Sequence, residues 1–204
     1  GGHAFHALAA RGETLAAYRE SPIEFCEVAS MAMELLGARD LREFYSPDDE
    51  ARSYRQLLEG IVTILPWIAT VDEFQHWVYT HRGHTRDDRR AAWCAIADRF
   101  GGIVDWSGFD DARANAWHRQ LHIFLYPFYY IEYGVAQLGA LQLWKRGLTD
   151  RAGAVASYRK ALSIGGAKPL PQLFEAAGAR FAFDVPTIAP LMGTIGQELS
   201  RLAP

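Results

Sequence analysis

Glu24, Glu27 and Glu34 stand in a short stretch that is otherwise apolar, among Ile23, Phe25, Val28, Met31 and Leu35. Glu27 and Glu34 are seven residues apart, two helical turns, so on a helix they project from one stripe, and Glu24 and Glu27 are neighbours three apart. Carboxylates on a core-facing stripe are costly unless they are paired or hold a metal; the alternative is that all three face water. A second set of donors opens the chain, in Gly1-Gly2-His3-Ala4-Phe5-His6. His3 reads as the second histidine of an H-E-x-x-H helix, whose two histidines bind one metal ion while the Glu beside the first activates a water on it. On that reading the first histidine and the Glu fall at the two positions before Gly1, and the chain is expected to be truncated just inside the motif. A cation held by such histidines would accept one carboxylate of the Glu24–Glu34 stretch as its third protein ligand. Another carboxylate could orient a ligating imidazole through its free N–H.

A further constellation is His118, His122, Tyr129, Tyr130 and Tyr133. Where a carbonyl oxygen gains negative charge, an O–H or imidazole N–H aimed at it lowers the barrier. The spacing puts Tyr129, Tyr133 and Gln137 on one face of a helix from Phe128 to Arg146, where Gly134, Ala136, Gly139 and Ala140 allow close approach. The alternative is a packed Tyr stripe with satisfied hydroxyls. His118 and His122 are four apart, but Arg119 stands where a water-activating Glu would be, so an incidental helix pair or a substrate contact is expected. His76, within Asp72 to Trp77, reads as a buried, hydrogen-bonded histidine. His81 and His84 flank Gly83 near a helix end, where protonated imidazoles suit the helix dipole. Cys26 and Glu27 diverge by about 100° on a helix and are not expected to share an ion. A carboxylate-bridged di-metal site built from Glu24, Glu27 and Glu34 would want paired E-x-x-H elements, which the sequence lacks.

The elements that must position these groups read as helical almost throughout. Residues 3 to 11 continue a helix that stops near Gly12. Ser21-Pro22 with Glu24 suggests a capping box for a helix running to about Leu36. Ser46 to Glu50 starts a long helix from about Asp48 to His81, with Pro66 as a possible kink point. Arg86 to Phe100 follows, then an irregular loop over 103 to 116. Phe128 to Arg146, Asp150 to Ile164, Pro171 to Ala177 and Pro186 to Leu202 complete the helices. Asp150 to Gly165 resembles half of a tetratrico-type repeat, but nothing recurs at about 34 residues, so it reads as a single amphipathic helix. No two-residue alternation and no Asn-Gly or Asp-Gly turn appears. The expectation is one all-α unit over 1–204.

Half of the 204 residues are apolar and 22% are charged, ordinary for a globular chain. A net charge of -3 gives no electrostatic case for nucleic acid or an anionic membrane. The longest apolar run, Ile123 to Ile131, is interrupted by Pro127 and falls short of the ~20 residues that span a bilayer. Cys26 and Cys94 form no C-x-x-C pattern, which favours a reducing compartment, the cytoplasm by default.

The segments GGHAFH, PIEFCEVASMAMELL, LPWIATVDEFQHWVY and WHRQLHIFLYPFYYIEYGVAQLGALQLW together resemble the C-terminal catalytic region of oligoendopeptidase F, within the thimet-oligopeptidase-like family of zinc metallopeptidases. The resemblance runs nearly end to end and includes ALSIGG and PLPQLFEAAG. It implies a multi-helix bundle carrying zincin-type helices, the C-terminal part of a larger peptidase enclosing a channel, with one zinc ion per complete site. It implies His3 and Glu27 as zinc ligands, Glu27 within the F-x-E element Phe25-Cys26-Glu27, with Glu34 as a carboxylate behind the ligands and His6 in support. It implies His122, Tyr129 and Tyr133 as the groups gripping the peptide backbone and the tetrahedral intermediate. The implied partners are short peptides and the missing N-terminal portion of the same protein. The implied function is zinc-dependent endopeptidase activity in the parent protein, with the fragment itself inactive; the alternative is a non-catalytic helical module that holds peptides.

Overall fold

The computed structural model describes residues 1–102 and 104–202, and among them only helices, turns and irregular segments occur. The all-α reading holds. Helix α1 spans Gly2–Ala9 and tightens into a 3-10 turn over Ala10–Gly12. Helix α2 spans Ile23–Gly37. Its start is not the expected capping box: no side chain caps it, because the Ser21 hydroxyl is taken by Nε2 of His6 at 3.0 Å. Helix α3, Pro47–Thr80, runs through Pro66. Ser46 caps it, accepting the Asp49 N–H at 3.2 Å and donating to the Asp49 carboxylate at 2.7 Å.

Helix α4 spans Arg86–Phe100 behind a full capping box of Thr85 and Asp88. The Thr85 bonds hold the Asp88 carboxyl below its ordinary range. The expected loop over 103 to 116 instead contains a short helix α5, Asp110–Ala114, before a 3-10 turn at Ala116–Arg119; Ile103 lies outside the described residues. Helix α6 is one turn, His122–Leu125. Helix α7 spans Ile131–Gly147, starting three residues later than its sequence suggests. Helix α8, Arg151–Ser163, is capped by Asp150, which accepts the Gly153 N–H at 2.9 Å. Helix α9, Leu170–Ala177, ends on Gly178 in the left-handed region (φ 81°). Helix α10, Val185–Arg201, starts on an Asp184 cap.

Packing divides the chain, read from sequence as one unit, into two compact groups, Gly1–Glu59 with Val135–Pro204, and Gly60–Gly134. In the first, Phe25, Val28, Leu141, Leu162, Leu173, Phe174 and Ile195 form the interior. Two buried polar groups tie that interior to backbone and to each other: Tyr158 donates to the Ala29 carbonyl at 2.6 Å, and the Trp144 indole donates to the Tyr54 hydroxyl at 3.0 Å. In the second, Phe74, Trp93, Ile96 and Trp117 are buried together, with Trp67, Trp77 and Phe100 packed around them. The Trp93 indole donates to the Arg113 carbonyl at 3.0 Å. Burial of each such large side chain stabilises by about 1.5–3 kcal/mol.

Candidate functional site

Helices α1 and α2 meet with their backbones nearly touching. A Cβ on Gly2 would come within 2.6 Å of the Ala29 carbonyl oxygen and 2.8 Å of the Ser30 nitrogen, so only glycine permits the approach. The next residue, His3, thereby faces α2, and its Nε2 lies 3.7 Å from Oε2 of Glu27. The Glu27 side chain is 15% exposed and that of His3 57%, one donor held by packing and the other reached from solvent. Two ligands of one tetrahedral zinc, with bonds of about 2.0–2.2 Å, lie roughly 3.3–3.5 Å apart. The pair therefore fits two positions of such an ion after a small closing movement. Among the described residues no group of three or more metal-capable side chains gathers, so Glu24, Glu27 and Glu34 do not assemble a di-metal site.

The neighbours of the pair have other partners. His6 is buried and bonded to Ser21, and burial, then the charge of His3, holds its pKa below the ordinary value. The Cys26 thiol points to the Ser21 carbonyl at 3.5 Å, and burial, then Glu27, raises its pKa. Glu34 is exposed on α2.

His122, Tyr129 and Tyr133 come together within the second group, though not by the expected route. The proposed helical stripe from Tyr129 does not exist, because Phe128 adopts φ 63° and breaks the backbone ahead of α7. An amide side chain holds that turn: Oε1 of the fully buried Gln75 accepts the Phe128 N–H at 2.9 Å. The turn lays the Tyr129 ring nearly parallel to His122, 5.8 Å between centroids, while Tyr133 meets His122 edge-on at 5.8 Å and Tyr129 at 5.5 Å. Tyr130 lies 4.9 Å from the same imidazole, and burial raises its phenol's pKa, against a lesser lowering by the Trp67 N–H. The His122 ring is also bonded through Nδ1 to Nε2 of Gln120 at 2.6 Å, and Oε1 of Gln120 accepts the Trp67 indole N–H at 3.1 Å.

The remaining histidines sort out plainly. His118 is exposed, stands on a separate 3-10 turn from His122, and packs its ring against Trp117 at 4.0 Å, so no helical pair forms. His76 is not buried: its side chain is 64% exposed beside Asp72, and the inward position is taken by Gln75. His81 and His84 sit at the end of α3, each Nδ1 meeting a carbonyl oxygen, of Trp77 at 2.9 Å and of His81 at 2.7 Å. A cavity of about 880 Å³ in the second group is bordered by Trp67, Trp93, Arg113 and Arg119, but by none of His122, Tyr129 and Tyr133.

Sequence reasoning missed Gly2, Gln75 and the Trp67–Gln120 pair. Gly2 precedes a candidate ligand inside a helix, where glycine costs up to about 1 kcal/mol relative to alanine, and that cost was the available signal. Nothing in the sequence distinguishes Gln75 or Gln120 from surface glutamines.

A model of peptidase family M3 matches residues 1–191. Among solved structures, one described as an oligoendopeptidase F is 33% identical over 98% of this chain, with a TM-score of 0.88. PZ peptidase A, in a structure with an inhibitor, is 32% identical over 98% of this chain, with a TM-score of 0.89. A structure described as an oligoendopeptidase F from Bacillus anthracis str. Ames is 28% identical over 98% of this chain, at 0.78. The chain covers 35%, 36% and 32% of those three chains, about a third of their length. No curated protein matches it. On the family match over nearly its whole length, together with the shared helical fold, the chain belongs to peptidase family M3.

Proposed function

We propose that this chain supplies part of the metal site and the substrate-gripping groups of a zinc-dependent oligopeptidase acting on short peptides. The observation that carries the reading is the 3.7 Å approach of His3 to Glu27 from two helices. His3 and Glu27 would be two of the zinc ligands, with Glu34 behind them and His6 propping α1 against Ser21. When bound, zinc supplies Lewis acidity and a water whose pKa falls to about 7. The phenols of Tyr129 and Tyr133 and the imidazole of His122 would donate hydrogen bonds to the peptide backbone and to the oxygen that becomes negative. That both sets of residues serve one reaction is part of the proposal and rests on the family resemblance.

No H-E-x-x-H sequence occurs in residues 1–204, so the polypeptide alone has no counterpart of the first histidine or the proton-accepting Glu. By itself it is expected to bind zinc weakly and to hydrolyse nothing. Exposed Leu8, Leu15 and Tyr18 near α1 offer apolar surface to the rest of a longer protein. In that setting the proposed partners are short peptides and that N-terminal portion, and the proposed compartment is the cytoplasm. No described helix is long and apolar enough to cross a membrane.

The test joins this chain to an H-E-x-x-H-bearing segment of its own protein. Zinc-dependent cleavage of quenched fluorescent peptides, lost on chelation and in His3→Ala and Glu27→Gln, is expected. Chelator-resistant cleavage, or full activity in both variants, refutes the reading. Peptide binding without any cleavage in the complete protein would instead favour the non-catalytic module.

A further inference from the structure

His122 does not sit in a ring of tyrosines with its proton unassigned. The indole N–H of Trp67 can only donate; it is shared between the side-chain oxygen of Gln120, at 3.1 Å, and the Tyr130 hydroxyl. That contact decides which way the Gln120 amide faces, because the reversed amide would oppose an NH₂ to an N–H. With the oxygen committed to Trp67, the amide nitrogen faces Nδ1 of His122 at 2.6 Å. An amide NH₂ has no lone pair to accept with, so Nδ1 must be the acceptor and therefore bare. In a neutral imidazole the proton then resides on Nε2.

We propose that Gln120 is a positioning residue that, oriented by Trp67, fixes His122 as the Nε2–H tautomer and so aims an imidazole donor from Nε2. It goes beyond the proposed peptidase role of His122 by naming what sets its proton, and its catalytic consequence rests on that role. A donor at Nε2 suits an oxygen that accumulates negative charge; a bare Nε2 would repel it. The rings of Tyr126, Tyr129, Tyr130 and Tyr133 surround the imidazole at 4.9–6.3 Å between centroids, and Nδ1 is bonded to the Gln120 amide. Trp67 is itself held, by an edge-on contact with the buried Trp93 at 5.5 Å and by the Arg119 guanidinium lying 4.6 Å over its ring. The orientation therefore passes from the aromatic interior through one amide to the imidazole.

The test reads the tautomer directly. Imidazole ¹⁵N shifts of the 204-residue chain are recorded at about pH 8.5, well above the ordinary imidazole pKa of ~6.5, with His122 assigned by the signal lost in His122→Asn. The unaltered chain is expected to show a protonated Nε2 and a bare Nδ1. In Gln120→Glu both carboxylate oxygens accept, so the proton is expected to move to Nδ1. In Trp67→Phe, which frees the amide to turn over, both tautomers are expected. A bare Nε2 in the unaltered chain, or an unchanged tautomer in Gln120→Glu, overturns the assignment, and the first of these does not depend on any change at Gln120 or Trp67. In the complete zinc-loaded protein, Gln120→Glu is expected to lower kcat about 10- to 100-fold with KM nearly unchanged. The expected tautomer shift with an unchanged kcat would uphold the role of Gln120 and refute the catalytic role of His122, so the two ideas fail separately.

Discussion

Replacing Gly2 by alanine should separate the two candidate metal ligands without touching either. The new methyl would stand 2.6 Å from the Ala29 carbonyl oxygen and 2.8 Å from the Ser30 nitrogen, against about 3.4 Å for an ordinary contact. Both obstacles are backbone atoms of α2, which no side-chain rotation can move. The Ser30 Cα stands closer still, so the helices must open by about 1 Å to restore an ordinary contact, or α1 must lift away and uncover His6 and Ala10. Either response widens the His3–Glu27 separation of 3.7 Å to about 4.7 Å, well beyond the ~3.5 Å two ligands of one zinc can span. Overpacking of this kind costs about 1–3 kcal/mol, whereas alanine in an uncrowded helix would be favourable by up to about 1 kcal/mol, so the sign of the stability change is informative. Gly12→Ala is the control, since nothing lies within 4 Å of its added Cβ. Zinc affinity of the complete protein, measured by competition with a chromogenic chelator, should fall about 10- to 100-fold in Gly2→Ala and stay put in Gly12→Ala. Urea unfolding of the 204-residue chain should show the destabilisation in the first variant alone. A Gly2→Ala protein that is destabilised yet keeps its zinc affinity would show that the helix contact does not set the ligand spacing.

Other perturbations have equally definite outcomes. Tyr133→Phe in the complete protein removes one hydroxyl donor and should cut kcat by about 10²–10³-fold with little change in KM; an effect confined to KM would mean ground-state binding only. Gln75→Ala strips the acceptor from the Phe128 N–H and should cost about 1–3 kcal/mol in urea unfolding, while loosening the turn that delivers Tyr129, so the Tyr129–His122 nuclear Overhauser contacts should weaken. An unchanged stability would dismiss the bond. Tyr158→Phe loses the bond to the Ala29 carbonyl, about 0.5–1.5 kcal/mol near neutrality. Burial raises the Tyr158 pKa above 10.0, so the folded state resists ionisation that the unfolded chain permits. Its contribution is full below about pH 10 and is lost as pH rises beyond that. The variant should therefore show a shallower alkaline fall in unfolding midpoint than the parent; Tyr54 and Tyr130, also raised, keep some of the slope. Parallel alkaline limbs in the two proteins would contradict the burial argument.

The helices were legible because their ends are written in local chemistry. Ser46, Asp150 and the acidic opening of α3 announce termini that the structure keeps within a residue or two. Misreadings arose where a distant partner outbid the local one. Ser21 looks like a cap, yet its hydroxyl goes to His6, fifteen residues back. Tyr129 looks helical, yet Gln75 holds Phe128 at positive φ from 53 residues away. Gln75 takes the buried position expected for His76 because a 100° rotation separates neighbours, and the aromatic neighbours of His76 in sequence do not reveal which of the two turns inward. For the site, residue types and spacing nominated His3, three glutamates and a His–Tyr cluster, and the family resemblance chose Glu27, His122, Tyr129 and Tyr133 among them. The groups that orient them, Gly2 and Gln120, act through space and leave only a weak trace in the sequence.

The two candidate sets are steadied by different physics, and they should fail differently. His3 and Glu27 depend on how closely two backbones approach at Gly2, a steric condition that tolerates no added carbon and resists salt or pH. His122 depends on the direction of one amide, a condition that steric bulk barely touches but a single change of acceptor for donor reverses. Preorganisation of a ligand or donor is worth most when its support cannot relax toward a competing geometry. Backbone atoms meet that requirement by rigidity. The Gln120 amide meets it because its other end is held by an indole that can only donate. Substitutions at Gly2 should therefore erode zinc affinity in proportion to side-chain volume, whereas those at Gln120 should sort by hydrogen-bonding character: Gln120→Leu and Gln120→Glu, both near glutamine in size, should differ from each other in the His122 tautomer. If size alone ranked the variants at both positions, the distinction between a steric and a hydrogen-bonded support would be wrong.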